Sequence, residues 1–183
     1  MSSPSDWRRG LLDFWFGLPP EQHWHRDEAV DAEIARRFAA AWHEEQAHAA
    51  QHFLNGSAED VLAAILLFDQ VPRNMFRNDP RAYATDPLAR AVAAAAVARG
   101  TDQAIAHGRR HFVYMPLEHS EDLADQERSV ALYEQLGDET YLDFARKHRD
   151  VIARFGRFPH RNPVLGRAPL SPEEKAFERE QPW

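Results

Sequence analysis

Residues 57–74 read SAEDVLAAILLFDQVPRN, and this segment predicts that the protein is built from helices. Ser57 followed by Asp60 resembles a capping box, a pairing that commonly starts a helix. The apolar run Val61–Phe68 then favours a buried helix over a strand, although periodicity alone does not separate the two. Pro72 predicts the end of the regular helix, because proline cannot donate the next backbone hydrogen bond.

Further helices are predicted on both sides of this segment. Apolar residues recur every four positions within Trp7–Trp15 and again within Val30–Trp42. Later helices are indicated by start signals at Asp86, Ser120 and Ser171 and by glycines at 100, 137 and 156 that end helices. The segments Arg109–His119 and Arg157–Pro169 are predicted to be connectors. The expected fold is therefore all-α, a single domain over residues 1–183 with about six to eight antiparallel helices joined by short loops.

Composition excludes several classes of protein. The chain has 183 residues and no cysteine, so it has no disulfides, and any metal site must use His, Asp or Glu. No uncharged apolar run approaches the roughly 20 residues that span a bilayer, and the first residues lack a signal-peptide pattern. We therefore expect a soluble, cytoplasmic protein without membrane association. The net charge of −7 argues against nucleic acid as a partner.

The first candidate site lies at the end of the apolar helix. Asp69 falls on the same helix side as Leu62 and Leu66, where an isolated charge would be very costly. Arg73, one turn later, is the nearest candidate partner. Two interpretations remain open: a structural ion pair that fixes the helix end, or a ligand-binding role for Asp69, Arg73 and Asn74.

The second candidate site surrounds His119, next to a predicted helix start. We predict that His119 is catalytic, that Asp122 is the carboxylate that orients it, and that Glu121 and Gln126 bind ligand. Carboxylates are also common in a first helical turn simply because they suit the helix dipole. A metal site formed by His119, Asp122 and Asp125 has weak support, because its spacing matches no known metal motif. No metal or cofactor is predicted.

The third candidate site is a basic loop, with four arginines and His160 between residues 154 and 167. Arginine side chains bind carboxylates and phosphates well, so Arg157, Arg161 and Asn162 are predicted to bind ligand. His160 is a second candidate for proton transfer. The alternative is that the loop packs against the acidic residues 121–125 and neutralises them. His148, on an apolar helix face, is more typical of a core residue, and the histidines at 23, 25, 43, 48 and 52 show no metal-ligand spacing.

Five motifs along the chain carry a resemblance to a known family. They are LDFWFG (12–17), LFDQVPRN (67–74), YATD (83–86), FVYMPLEHSED (112–122) and FGRFPHRN (155–162). Together they resemble the bacterial domain of unknown function 924 family. The similarity runs from about residue 10 to about residue 178. It implies an all-α fold similar to a tetratricopeptide-repeat α-solenoid, and it implies no particular activity.

Two functions are therefore expected. In the first, the polar residues form a site that binds or processes a small anionic metabolite. In the second, the chain is a helical scaffold for a protein or peptide partner, and the polar residues form a structural ion-pair network. A concave pocket lined by these residues would favour the first function, and a flat aromatic groove would favour the second.

Overall fold

The computed structural model describes residues 6–180 and shows an all-helical protein. Residues 1–5, which contributed to the argument against a signal peptide, lie outside the described range. The predicted fold class is confirmed, and the helix count is close to that expected. Residues 6–180 contain nine α-helices: α1 (Asp6–Trp15), α2 (Glu28–Glu45), α3 (Ala50–Phe53), α4 (Ala58–Met75), α5 (Asp86–Ala98), α6 (His107–Glu118), α7 (Leu123–Leu136), α8 (Glu139–Phe155) and α9 (Pro172–Glu180).

Helix α4 forms the centre of the core. Every residue from Val61 to Pro72 is buried, and α4 packs against α1, α2, α3, α5 and α6. The helix begins with the predicted capping box: the Ser57 hydroxyl accepts from the Asp60 amide, and the Asp60 carboxylate accepts from the Ser57 amide. The similarity to a tetratricopeptide-repeat solenoid stays a prediction.

The prediction that Pro72 ends this helix was wrong, since α4 continues to Met75. Pro72 leaves the Phe68 carbonyl without its helical donor, and the Thr85 hydroxyl donates to that carbonyl instead, at 2.7 Å. Proline lacks only its own backbone N–H, so this one backbone bond has to be replaced.

The segment Arg109–His119, predicted to be a connector, is mostly helix α6. All residues from His111 to Glu118 are buried, so α6 has no polar face to produce a helical pattern in the sequence. Pro116, in its last turn, strengthened the wrong impression of a loop.

Other helix ends agree with the sequence to within a few residues. Helix α7 begins at Leu123 with Asp122 as its N-cap, rather than with Ser120. Helix α8 ends as predicted at Gly156, whose positive φ of 66° suits glycine. A capping box between Ser171 and Glu174 starts α9.

A small second core lies beside the loop that connects α8 and α9. Val151 and Ile152 of α8, Phe158 of the loop and Phe177 of α9 bury one another there. This core holds the loop segment 157–162 against the end of α6. Within residues 6–180, none of the helices has the length and apolar character needed to span a bilayer.

Candidate functional site

A cleft with a volume of ≈ 420 Å³ opens at the C-terminal end of α4. Its walls come from the segment before α2, α4 and the segment after it, the α6–α7 junction, α8 and the loop after α8. Its lining residues are Arg26, Arg73, Arg77, Asn78, Ala82, Tyr83, His119, His148, His160 and Arg161. Four are arginines and three are histidines, and none of these described lining residues carries a carboxylate.

Buried Asp69 and partly buried His119 form a pair at this cleft. The Asp69 carboxylate is 1% exposed, and its Oδ1 lies 2.8 Å from His119 Nδ1. Burial opposes ionisation of Asp69, but the charge of Arg73 and the contact with His119 outweigh it and hold the Asp69 pKa below its ordinary value. Burial also lowers the pKa of His119, against the opposing charge of Asp69. Near pH 7 the pair therefore consists of an ionised carboxylate and a neutral imidazole.

The protonation of the His119 ring follows from this pairing. An ionised carboxylate can only accept, so Nδ1 carries the ring proton and donates it to Asp69. Nε2 then has a free lone pair. Gln70 donates to the other Asp69 oxygen at 2.6 Å, so both carboxylate oxygens are held.

Arg73 and Arg161 are fixed by contacts behind the cleft. Arg73 makes two hydrogen bonds to Asp86, at 2.7 and 3.0 Å, and a third to the Asp69 carbonyl at 2.6 Å. Arg161 donates to the His119 carbonyl at 3.0 Å and lies 3.7 Å from Asp86. The interpretation of Asp69 and Arg73 as an ion pair is correct, with 3.4 Å between Arg73 Nη1 and Asp69 Oδ1.

Arg161 keeps unsatisfied hydrogen-bonding capacity. The residue is only 7% exposed, and its Nε has no hydrogen-bond partner in the part of the chain that the structure describes. Burial and the nearby charge of Arg73 lower the pKa of Arg161. The two guanidinium groups therefore repel each other at a site where Asp69 and Asp86 supply the nearby negative charge.

The other two cleft histidines are also neutral near pH 7. Burial lowers the pKa of His160 to about 4 and that of His148 to about 3. His148 Nδ1 lies 2.9 Å from the Phe144 carbonyl and 3.1 Å from the buried Glu118 carboxyl. His148 is thus half-buried among polar partners at the edge of the cleft, which its position on an apolar helix face did not indicate.

Several predicted site residues lie away from the cleft lining. Asp122 caps α7 and lies 3.9 Å from Arg90, so it does not orient His119 as predicted. The carboxylate that contacts His119 is that of Asp69. Arg157 pairs with Glu174 of α9 at 2.5 Å. Asp125 pairs with Arg90 at 2.6 Å, and so His119, Asp122 and Asp125 do not converge as metal ligands.

The remaining predicted residues have structural partners close to the site. Glu121 accepts from Arg167 through both oxygens and from the Phe158 amide, so the basic loop neutralises this one acid of the α7 start.

Buried Gln126 donates to the carbonyls of Glu118 and Ser120. Asn74 donates to the Gln70 carbonyl at 2.9 Å. Asn162 is fully buried, and its side-chain atoms have no hydrogen-bond partner among the residues described.

Sequence reasoning missed the residues that complete the cleft. Asp86 was predicted only as a helix start, although it holds both Arg73 and Arg161. Tyr83 packs beneath the same two guanidinium groups, at 5.6 and 4.7 Å from its ring centre. The motif YATD, which contains both residues, was the available signal.

These features define a class of all-helical protein in which a central helix places a buried aspartate behind a histidine in an arginine-lined cleft. The chain belongs to the family described as bacterial protein of unknown function (DUF924), whose model matches residues 11–181. The family predicted from the motifs is therefore confirmed.

A solved structure supports the fold. The chain is similar to a protein of unknown function from Agrobacterium tumefaciens, with 41% identity and a TM-score of 0.87 over 98% of this chain and 100% of that one. The comparison with curated proteins found no match.

Proposed function

We propose that the cleft binds a small anionic metabolite and that His119 transfers a proton to or from it. The observation that carries this proposal is the position of Arg73, which is partly buried, and Arg161, which is buried. Both guanidinium groups are fixed on one cleft wall, and no carboxylate is in the described lining. The cleft volume lies within the range of roughly 300–1,000 Å³ that is usual for small-molecule sites.

An anion would complete the interactions of this wall. Arg161 Nε has no partner among the described residues, and the repulsion between Arg73 and Arg161 is reduced when a negative group binds between them. Because Asp86 and backbone carbonyls already hold both side chains, binding loses little side-chain entropy. Carboxylates and phosphates are the anions that suit such paired guanidinium groups.

His119 supplies the proton-transfer chemistry. With Nδ1 held by Asp69, its neutral ring offers the Nε2 lone pair as a general base. Ionised Asp69 would stabilise the imidazolium that forms when the ring accepts a proton. His160, the second residue that the sequence suggested for this role, lines the same cleft.

The test is titration calorimetry with inorganic phosphate, small phosphorylated metabolites and di- and tricarboxylates. We expect at least one of these anions to bind, and we expect Arg161→Met to weaken binding at least tenfold. Arg26→Ala should also weaken it without loss of stability, because this cleft side chain is 61% exposed. For an anion that the protein converts, His119→Gln should retain binding and lose conversion.

Arg157→Met is the matched control, since Arg157 comes from the same loop but pairs with Glu174 outside the cleft. Its affinity should equal that of the wild type. The proposal fails if no anion binds at millimolar concentration, or if Arg157→Met weakens binding as much as Arg161→Met.

The alternative proposal is a scaffold for a protein or peptide partner. The feature that supports it is Trp24, which is 50% exposed and stacks on Phe112 close to Arg26. A stable complex with a protein partner that survives Arg161→Met but not Trp24→Ala would favour the scaffold over the metabolite site.

A further inference from the structure

Three potential metal ligands meet at the α2–α3 connection. Glu45, His48 and His52 each place one ligand atom within 4.8 Å of the other two. Among the described residues, this is the group of His, Asp and Glu side chains that meets the spacing for a metal ion. None of the three lines the arginine-rich cleft.

The backbone fixes the relative positions of these residues. Glu45 is the last residue of α2, and its carbonyl accepts from the His48 amide at 3.0 Å. The His52 amide donates to the Ala49 carbonyl at 2.9 Å within the first turn of α3. Two short hydrogen-bonded turns therefore hold all three side chains on one side of the connection.

The Glu45 carboxylate has one oxygen occupied and one available. Its Oε1 accepts from the Trp7 indole at 3.0 Å, which fixes the orientation of the group. Its Oε2 is buried and has no hydrogen-bond partner among the residues that the structure describes. A buried carboxylate oxygen without a partner costs free energy, and a bound cation or a hydrogen-bond donor would remove that cost. His52 Nε2 lies 3.8 Å from it.

The two imidazole rings are ordered rather than loose. They stack on each other with their centroids 4.2 Å apart and an interplanar angle of 13°. The edge of the buried Phe53 ring packs against both of them, at 5.0 Å from His52 and 6.4 Å from His48. Although both histidines are exposed on one side, their orientation is set by the core.

We propose that Glu45, His48 and His52 bind a divalent transition metal ion of the zinc type. Tetrahedral ligands at about 2.0–2.1 Å from a zinc ion stand about 3.3–3.4 Å apart. A contraction of up to about 1.5 Å between ligand atoms would therefore close the site, and water would take the fourth position. Two imidazoles with one carboxylate suit zinc, cobalt or nickel, whereas magnesium and calcium prefer oxygen ligands throughout.

The sequence prediction missed this group because it considered the histidines without Glu45. Positions 45, 48 and 52 have the i, i+3 and i+7 spacing of one helix face, although the chain here forms the end of α2, a turn and the start of α3 rather than one continuous helix. A bound ion would join α2 to α3 and hold Trp7 of α1 against them through Glu45. The site would thus fasten three helices at one edge of the domain.

The experiment is titration of the purified protein with Zn²⁺ by calorimetry and with Co²⁺ by visible absorption. We expect one ion per chain, tetrahedral Co²⁺ bands in the visible range, and reversal by a chelator. His52→Ala, His48→Ala and Glu45→Gln should each weaken Zn²⁺ binding at least tenfold, because each removes or neutralises a ligand. The two histidines are exposed, so their variants keep the fold.

His43→Ala and Glu44→Gln are the matched controls, since both side chains are exposed at the same end of α2. Their Zn²⁺ affinity should equal that of the wild type. Equal weakening in the controls, octahedral Co²⁺ spectra with several ions per chain, or no binding at all would overturn the proposal. Anion binding at the arginine-rich cleft has separate residues and a separate readout, so either proposal can fail without the other.

Discussion

At the scale of single residues, Glu118 is a buried carboxyl group that is protonated near neutral pH. Burial raises its pKa to about 8, and the nearby charge of Asp69 acts in the same direction. Its neighbour His148 is neutral, so an uncharged acid and an uncharged base lie 3.1 Å apart behind the cleft.

This pKa predicts how stability depends on pH. A carboxyl group whose pKa is higher in the folded state than in the unfolded state stabilises the fold at low pH, and this contribution is lost as pH rises through the folded value. Between about pH 4.5 and 8, Glu118 should thus lower the unfolding free energy by at most about 1.4 kcal/mol per pH unit. In Glu118→Gln this loss should be absent. The unfolding free energy of the variant minus that of the wild type should therefore rise with pH up to about pH 8 and stay constant above it.

Urea unfolding of both proteins at pH 5.5, 7 and 8.5 measures the effect. Glu127→Gln is the control, because Glu127 is exposed on α7, and its difference from the wild type should not change with pH. If the curves for the wild type and Glu118→Gln run parallel over this range, Glu118 is ionised throughout.

Single residues also show the limit of sequence reasoning about the site. Spacing within one helix correctly paired Asp69 with Arg73. The contact between Asp69 and His119 joins residues 50 positions apart, and nothing in the local pattern distinguishes Asp69 from Asp122 as the partner of that histidine. Only the packing of α4 against α6 makes the choice.

At the scale of elements, the end of α4 is maintained by side chains in place of backbone donors. The Thr85 hydroxyl donates to the Phe68 carbonyl that Pro72 leaves free, and it accepts from the Trp42 indole at 3.0 Å. Thr85 is buried, so both partners depend on it. One hydroxyl thereby connects α2, α4 and the start of α5.

Thr85→Val should therefore destabilise the protein by about 2–4 kcal/mol, because it leaves two buried polar groups without partners. Pro72→Ala restores a backbone N–H for the Phe68 carbonyl, so the double variant should lose about 1 kcal/mol less than the sum of the single variants. Urea unfolding of the four proteins measures this coupling.

Thr140→Val, at an exposed position of α8, should change stability little. Strictly additive effects in the Thr85 and Pro72 variants would show that the hydroxyl does not replace the missing backbone donor.

Helices with one polar face were predictable from their period, whereas a helix enclosed by the core was predictable only where a start signal marked it, as Ser57 and Asp60 mark α4. Apolar residues lie on one helical face and polar residues on the other within Val30–Trp42 and within residues 141–155. Both segments are helices, as expected. Helix α6 is surrounded by the core, so its sequence has no polar face to mark its period. Proline in the last turn of α4 and of α6 was misleading, because both helices continue past it. In α4 the Thr85 hydroxyl replaces the lost bond.

At the scale of the whole molecule, the cleft depends on the small second core. Phe158 and Phe177 pack there with α8, and the loop segment with His160 and Arg161 follows directly from Phe158. The main core around α4 does not include these residues. The part of the cleft wall that carries Arg161 should therefore open more easily than the part that carries Arg73.

Phe177→Ala should increase amide hydrogen exchange several-fold in residues 156–168 and leave exchange in α4 unchanged, because it removes a large side chain from the second core alone. Hydrogen exchange with mass spectrometry measures both regions in one experiment. Phe144→Ala, at a 50% exposed position of α8, is the control. A uniform increase along the whole chain would mean that the two cores unfold as one unit.

The cleft lining is also dispersed along the chain, from Arg26 through residues 73–83 to Arg161. During synthesis on the ribosome, α4 can bury its apolar surface early, but the cleft wall that carries Arg161 cannot exist until residue 161 has been added and has reached the end of α6. A nascent or prematurely terminated chain would thus be helical yet lack this wall of the cleft. Under the proposed function, anion binding would then distinguish finished molecules from unfinished ones more sharply than helix content does.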